Sequence, residues 1–314
     1  MYPGRVLVTG AAGFVGARLV GRLVARGGFE VHGLVRSAPP AAIAKPGAVT
    51  GPGAVTWHRA DLADADAVCA AIAAVAPTRL FHLGAMANPR ACAANPYLAW
   101  RTNARGTLAV LRALHRANPA ARALFVSTAQ VYGTREGRIA ESAPLAPASA
   151  YGRSKLGGER AARGMARRGL TVVIARPFNH TGAGQSTDYV VPALAANLAR
   201  ALATGAPLLH GNLAPRRDFL HVEDVLDAYE VLIERGQAGE AYNVCRGVGV
   251  AIAELLEGFV ARLGRPQSIA ADPTLVRAGD PTAIVGAAHR LQALGWCPRW
   301  SVDAILDELS EPRL

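Results

Sequence analysis

Lysine is nearly missing from this chain. Of its 34 basic residues only Lys45 and Lys155 are lysines, and the rest are arginines spread from end to end. The net charge of +11 therefore arrives without a basic block, which argues against nucleic acid as a partner. A positive field of that kind favours an anionic small substrate instead. Cysteine is also scarce: Cys69, Cys92, Cys245 and Cys297 stand far apart without metal-ligand spacing. No metal site is expected, and the thiols read as reduced ones in a cytoplasmic protein. No apolar run reaches the roughly 18 residues that a membrane span needs. The first residues carry neither a charged leader region nor a cleavage site, so no secretory signal is expected. What remains is a 314-residue chain with 51% hydrophobic residues, much of that alanine. It is long enough for one large domain or for a core domain with a smaller companion.

The most informative stretch is Thr9-Gly10-Ala11-Ala12-Gly13-Phe14-Val15-Gly16, directly after the apolar run Arg5-Val6-Leu7-Val8. Three glycines spaced by three, between a strand pattern and a helical one, suit a loop that holds a pyrophosphate. One glycine makes the turn, one lets the phosphates approach the backbone, and one lets the helix pack on the strand. The following helix, with Leu19, Val20, Leu23 and Val24 on one face, aims its free N–H groups at the anion.

Strands and helices then alternate, which predicts a parallel sheet covered on both faces. The second strand, Glu30-Val31-His32-Gly33-Leu34-Val35, ends at Arg36-Ser37. A carboxylate at that position would bond the ribose hydroxyls of NAD, whereas Arg36 pairs with a 2′-phosphate. NADP(H) is thus favoured and NAD(H) remains open, since Arg36 also reads as an ordinary solvated arginine. Residues 37–54 read as a Pro/Gly/Ala-rich surface loop. A third strand, Val55–Arg59, leads to Asp61-Leu62, where Asp61 suits either an adenine contact or a helix N-cap. The fourth strand, Arg79–His82, runs into the small turn Leu83-Gly84-Ala85, and His82 reads as a packed strand residue. A long helix is expected from about Pro96 to Ala117, followed by the strand Ala123–Thr128.

The chemistry is most specific next. Tyr151-Gly152-Arg153-Ser154-Lys155 opens a helix expected over 150–168. Residues four apart share a helical face, so Tyr151 and Lys155 point the same way. A phenol titrates near 10, and a neighbouring ammonium favours the phenolate. The pair can therefore exchange a proton with a sugar oxygen at ordinary pH. A compact, movable ammonium is something arginine cannot supply, and Lys155 is one of two lysines in the chain.

Taken together, TGAAGFVG, HLGA, STAQVYG, YGRSK and RPFNHTGAGQ resemble, in order, the extended short-chain dehydrogenase/reductase family of nucleotide-sugar enzymes. The resemblance implies a Rossmann-type α/β fold: a doubly wound parallel sheet over 1–177, rejoined by 219–245. A small C-terminal substrate-binding cap would come from 178–218 and 246–314. It implies a Ser/Thr-Tyr-Lys triad of Thr128, Tyr151 and Lys155. Cofactor contacts would come from Gly10, Gly13, Phe14, Val15, Gly16, Arg36, Asp61, Leu62, Leu83, Gly84, Ala85, Asn103, Tyr151, Lys155, Pro177 and Phe178. Asn103 would organise the site rather than do chemistry. The nucleotide sugar would meet Asn88, Thr128, Gln130, Asn179, Val191, Arg217 and Arg277, with the two arginines on its diphosphate. Asp224 would cap the helix that follows it, and Leu294-Gly295-Trp296 with Pro298 would be structural. The helices near 96–117 and 150–168 are those that pair in family dimers, so a homodimer is expected.

Three features narrow the reaction. Ala129-Gln130 stands where the family's 4,6-dehydratases carry an acidic acid/base group, and neither residue can remove water from a sugar. Arg36 favours an exchangeable NADPH. The RPFNHTGAGQ and RRDF stretches look closest to reductases of GDP-4-keto-6-deoxy-mannose, which make GDP-rhamnose or an epimer. Ala87 departs from relatives that place a hydroxyl there to hold the sugar. The expected activity is reduction of a C4 ketone. The alternatives are a 4-epimerase retaining NAD and a non-catalytic NADP-sensing regulator, against which the retained Tyr151 and Lys155 speak.

Overall fold

The computed structural model describes residues 4–37, 55–275 and 280–311. Its backbone divides into two compact units. The first comprises Met1–Gly133, Pro144–Arg176 and Ala228–Tyr242; the second comprises Thr134–Ala143, Pro177–Asp227 and Asn243–Leu314. The segment 134–143, which the sequence reading leaves in the first domain, thus belongs to the second. The return to the first unit is shorter than the expected 219–245.

The strands in chain order are β1 (Gly4–Thr9), β2 (Phe29–Val35), β3 (Thr56–Arg59), β4 (Arg79–His82), β5 (Arg122–Val126), β6 (Gly137–Ile139) and β7 (Thr171–Pro177). They continue as β8 (Asn179–Thr181), β9 (Leu208–His210), β10 (Arg216–His221), β11 (Ala241–Val244), β12 (Gly249–Ala251), β13 (Ile269–Ala271) and β14 (Ala283–Gly286). The central sheet has seven strands in the order β11-β7-β5-β4-β1-β2-β3. Neighbours from β3 through β7 pair in parallel. Strand order reverses between β1 and β4, which in such sheets creates a crevice at the carboxyl ends of the strands. The glycine loop leaves β1 at that point.

The local reasons are plain. Central parallel strands are covered on both faces and must be continuously apolar; Val6, Leu7 and Val8 of β1 are fully buried. Leu7, Leu80, Phe125 and Val172 from four strands share one core with helix residues Val68, Ile72, Leu111, Leu114 and Met165. Each large side chain so buried contributes about 1.5–3 kcal/mol. The helix Phe14–Arg26 buries Leu19, Val20 and Leu23 and stops at Gly27, which adopts φ +70 and returns its N–H to Leu23 and Val24.

The expected continuous helix from Pro96 to Ala117 is broken. Pro96–Trp100 is α-helical, Arg101–Arg105 forms a π-helical turn, and Gly106–Ala117 resumes the α-helix. Such a wide turn rotates the residues within it relative to a regular helix, and it is often found where a side chain must be aimed. Asn103 sits inside it and is 1% exposed. A second difference concerns capping. Asp61 accepts from Ala63 N in its own loop, at 2.8 Å, while Asp64 caps the helix Ala65–Val75 through Asp66 N and Ala67 N.

In the second unit β10 is the centre of its own sheet, flanked by antiparallel β12 and parallel β14 and β8, with β6 beyond β14. Pairing of β6 with β14 is why 134–143 belongs here. Buried Asp218 accepts from the backbone N–H groups of Arg246, Gly247 and Gly286 at 2.8, 2.8 and 3.1 Å, tying three segments together. Asp224 is a correction. Its carboxylate does not cap its helix but accepts from Arg299 N at 2.8 Å and Trp300 N at 3.1 Å. Trp296, 3% exposed, donates its indole N–H to Asp224 O, so the closing stretch is indeed structural. No helix among the described residues is long and apolar enough to cross a membrane.

Candidate active site

The glycine loop is shaped by contact. Gly10 has φ +69, and a Cβ there would stand 2.7 Å from Gly84 Cα; a Cβ on Gly16 would stand 2.2 Å from Gly10 O. Gly13 begins the helix without a side-chain cap, and no acid lies in its first turn. Backbone donors at the helix start, including those of Phe14 and Val15, are therefore available to an anion. This cradle fits a dinucleotide pyrophosphate. Arg36 and Ser37 are exposed at the end of β2. Leu62 is half-buried against the first core, and Leu83 and Ala85 flank the buried Gly84.

A chain of hydrogen bonds runs from this loop to the Tyr151 helix, and its directions can be deduced. Gly84 N donates to Thr9 Oγ1 at 3.0 Å. Thr9 Oγ1 lies 2.7 Å from His82 Nδ1, and His82 Nε2 lies 2.9 Å from Thr107 Oγ1. Thr107 gives its proton to Asn103 O at 2.6 Å, so its oxygen must accept from His82 Nε2–H, and Nδ1 must accept from Thr9. That assignment needs a neutral imidazole. Burial supplies it, holding His82 down at about 3. Asn103 accepts from Met86 N at 2.8 Å and donates to Met86 O at 3.0 Å and to Ser154 Oγ at 2.9 Å. Ser154 in turn donates to Tyr151 O at 2.7 Å.

The expected triad residues, Thr128, Tyr151 and Lys155, belong to one unit. Thr128 ends the segment after β5, is 8% exposed, and its Oγ1 accepts from Gln130 N at 3.2 Å; the hydroxyl proton thus remains for another acceptor. Gln130 is exposed and accepts from Ser149 Oγ at 3.0 Å. Ser149 also caps the helix Ala150–Ala166 through Gly152 N, two residues shorter than expected. Tyr151 is half-buried, whereas Lys155 is 2% exposed and sets its ammonium 4.6 Å from the Phe125 ring centre. Desolvation pulls Lys155 down to about 7, opposed by the charge of Glu159.

Glu159 is a residue that the sequence reading missed. It is fully buried, four residues beyond Lys155, and accepts from Ser127 Oγ at 2.7 Å and Arg163 Nη1 at 3.0 Å. Arg176, 1% exposed, grips both its oxygens at 2.8 and 2.7 Å and donates to Tyr132 OH at 2.8 Å. These partners hold the Glu159 carboxyl below its ordinary range despite the burial that opposes it. The available signal was an acid at helical spacing from Lys155 and an arginine inside an otherwise apolar strand.

Other expected ligand residues are placed as follows. Asn88 uses its side-chain oxygen to cap the helix Pro89–Ala94, accepting from Arg90 N at 2.9 Å and Ala91 N at 3.2 Å. In the second unit Pro177 ends β7, and buried Phe178 donates its N–H to Val244 O. Asn179 is exposed and donates to Asp218 O at 3.3 Å. Val191 is 2% exposed and packs in the second unit's core, rather than facing a ligand. Arg217 is engaged by Asp280 at 2.6 Å and by Pro281 O at 2.9 Å. Arg277 lies outside the described residues.

A Rossmann-type sheet, a glycine cradle and a Tyr-Lys helix define an NAD(P)-dependent enzyme. The chain belongs to the NAD dependent epimerase/dehydratase family, the extended short-chain dehydrogenases/reductases, whose model matches residues 6–245. It is 32% identical to GDP-6-deoxy-D-mannose reductase of Pseudomonas aeruginosa, over 97% of this chain and 96% of that one. The solved structure of RMD from Pseudomonas aeruginosa complexed with NADPH superposes with a TM-score of 0.81 and 28% identity, covering 98% of this chain and 97% of that one. The UDP-glucose 4-epimerase of Thermus thermophilus, solved with NAD, gives a TM-score of 0.84 and 28% identity, with the same coverage. The chain is thus a nucleotide-sugar-modifying enzyme that uses a nicotinamide dinucleotide.

Proposed function

We propose that this enzyme reduces the C4 ketone of a nucleoside-diphosphate 4-keto-6-deoxyhexose with NADPH. The substrate is GDP-4-keto-6-deoxy-mannose, giving GDP-rhamnose or its C4 epimer. The observation that carries the reading is the segment after Thr128. Ala129 and Gln130 offer no carboxylate for dehydration, and Gln130 Oε1 is already held by Ser149, while the proton-transfer pair Tyr151 and Lys155 is intact. Arg36 at the end of β2 supports NADPH, and the reductase relative supports the substrate class. A homodimer is proposed on Tyr97, Leu98 and Trp100, which are 70, 36 and 43% exposed beside the Tyr151 helix; apolar exposure of that kind marks contact surfaces.

The chain's own groups do the following. Backbone N–H groups after Gly13 hold the pyrophosphate. The dinucleotide, when bound, supplies a hydride to C4. Thr128 donates its free hydroxyl proton as a hydrogen bond to the ketone oxygen, and Tyr151 passes its phenol proton to that oxygen as the charge develops. The Lys155 ammonium stabilises the phenolate left behind. Asn103 and Ser154 fix the helix backbone at Tyr151, so the phenol is positioned in advance.

The test is absorbance at the reduced-nicotinamide band after adding NADPH or NADH with GDP-4-keto-6-deoxy-mannose. Stoichiometric loss with NADPH, and far slower loss with NADH, is expected. No consumption, with NAD released only on denaturing the protein, would assign the enzyme to the 4-epimerases.

A further inference from the structure

The parallel register of β2 with β3 sets Val35 opposite Arg59, so Arg36, the next residue along, and Arg59 both lie at the carboxyl ends of these neighbouring strands. Arg59 Nε donates to Arg36 O at 3.4 Å, which brings its guanidinium along the β2 terminus. Both residues are exposed. Among the described residues neither is paired with a carboxylate. The nearest candidate in sequence, Asp61, turns an oxygen back to Ala63 N at 2.8 Å. Two arginines at one strand end without an acid leave a local excess of positive charge, which suits a doubly charged anion. Guanidinium groups are the preferred donors for phosphate because their N–H pairs match its oxygens.

We propose that Arg59 is the second arm of a clamp for the 2′-phosphate of an adenine dinucleotide, acting together with Arg36. The inference rests on the NADPH reading and adds a residue to it. With Nε spent on Arg36 O, the two Nη groups of Arg59 remain for the phosphate oxygens. Ser37, exposed beside Arg36, supplies a further hydroxyl donor. A clamp of this kind discriminates by charge: it adds affinity for NADPH and nothing for NADH, whose 2′ position bears only a hydroxyl.

Dissociation constants of NADPH and NADH for the full chain, measured by calorimetry on wild type, Arg59→Gln and Arg36→Gln, test this. Arg59→Gln should weaken NADPH by about tenfold or more, the loss of one charge-assisted contact, and leave NADH unchanged. Arg59→Lys should recover only part of the difference. Arg59→Gln weakening both dinucleotides equally would mark a structural role and overturn the proposal. An unchanged NADPH/NADH ratio in Arg59→Gln alongside a collapsed ratio in Arg36→Gln would overturn it while leaving the NADPH reading intact. Equal affinity of the wild type for both dinucleotides would remove that reading and the clamp together.

Discussion

Asn103 Nδ2 donates to Ser154 Oγ across 2.9 Å, and Ser154 lies between Tyr151 and Lys155 in the sequence. One amide thereby fastens the turn after β4, through Met86, to the helix that carries Tyr151 and Lys155. Asn103→Ala removes three hydrogen bonds at a buried position. Turnover should fall more than dinucleotide affinity does, because the lost bonds orient the phenol rather than hold the phosphates. Comparing kcat with the dissociation constant of the dinucleotide checks this; an equal fall in both would mean that Asn103 acts on binding.

Tyr151→Phe deletes the proposed proton donor and little else. General acid catalysis contributes about 10²–10⁴-fold, so kcat should drop within that range while binding of the nucleotide stays near the wild-type value. Retained turnover would remove Tyr151 from the chemistry.

Lys155 carries a cost that pH exposes. Its folded pKa, about 7, lies below its ordinary 10.5, so between those values the unfolded chain binds more protons than the native one. Stability therefore rises with pH across that window, and the full cost is present below it. Lys155→Met should raise the melting temperature by a few degrees at pH 6 and abolish turnover, with a smaller gain at pH 10. Wild-type kcat/KM should decline on the alkaline side as the free enzyme's ammonium is lost near 7. A melting temperature of Lys155→Met below wild type at pH 6 would contradict the assignment.

His82 acts in the same direction at lower pH. Held at about 3 against an ordinary 6.5, it stays neutral in the native state while the unfolded chain takes up protons as pH falls. Stability should decline between these values. Denaturant titrations of wild type and His82→Gln at pH 4 and pH 7 measure it, the variant losing less on acidification.

Glu159→Gln leaves the buried Arg176 guanidinium without its carboxylate counter-charge, which costs about 3–5 kcal/mol. The double variant Glu159→Met with Arg176→Met removes both charges and should lose far less, as replaced buried pairs generally do. Urea unfolding of the two variants distinguishes a stabilising contact from a charge that is merely compensated.

What the sequence makes legible is local. Gly10, Gly13 and Gly16 follow an apolar strand and precede a periodic helix, so the cradle can be read from adjacent residues. Tyr151 and Lys155 are separated by one helical turn, and that spacing alone brings them together. Asn103 can be singled out in the sequence, but its place inside a π-helical turn cannot. Asp61 and Asp64 are both plausible caps by residue type, and only the loop path selects Asp64. Glu159 and Arg176 lie 17 residues apart on a helix and a strand, and nothing in either segment names the other. The placement of 134–143 with β14 is a pairing across about half the chain, beyond the reach of any local pattern.

The polypeptide passes between its two units five times, at 133/134, 143/144, 176/177, 227/228 and 242/243. Neither unit is therefore a continuous stretch that a single cut could free. A graft of the second unit from a relative must carry three separate pieces and respect the pairing of β6 with β14. The usual exchange of a C-terminal half would leave a donor β14 beside a host β6. Point changes therefore disturb this fold less than recombination does.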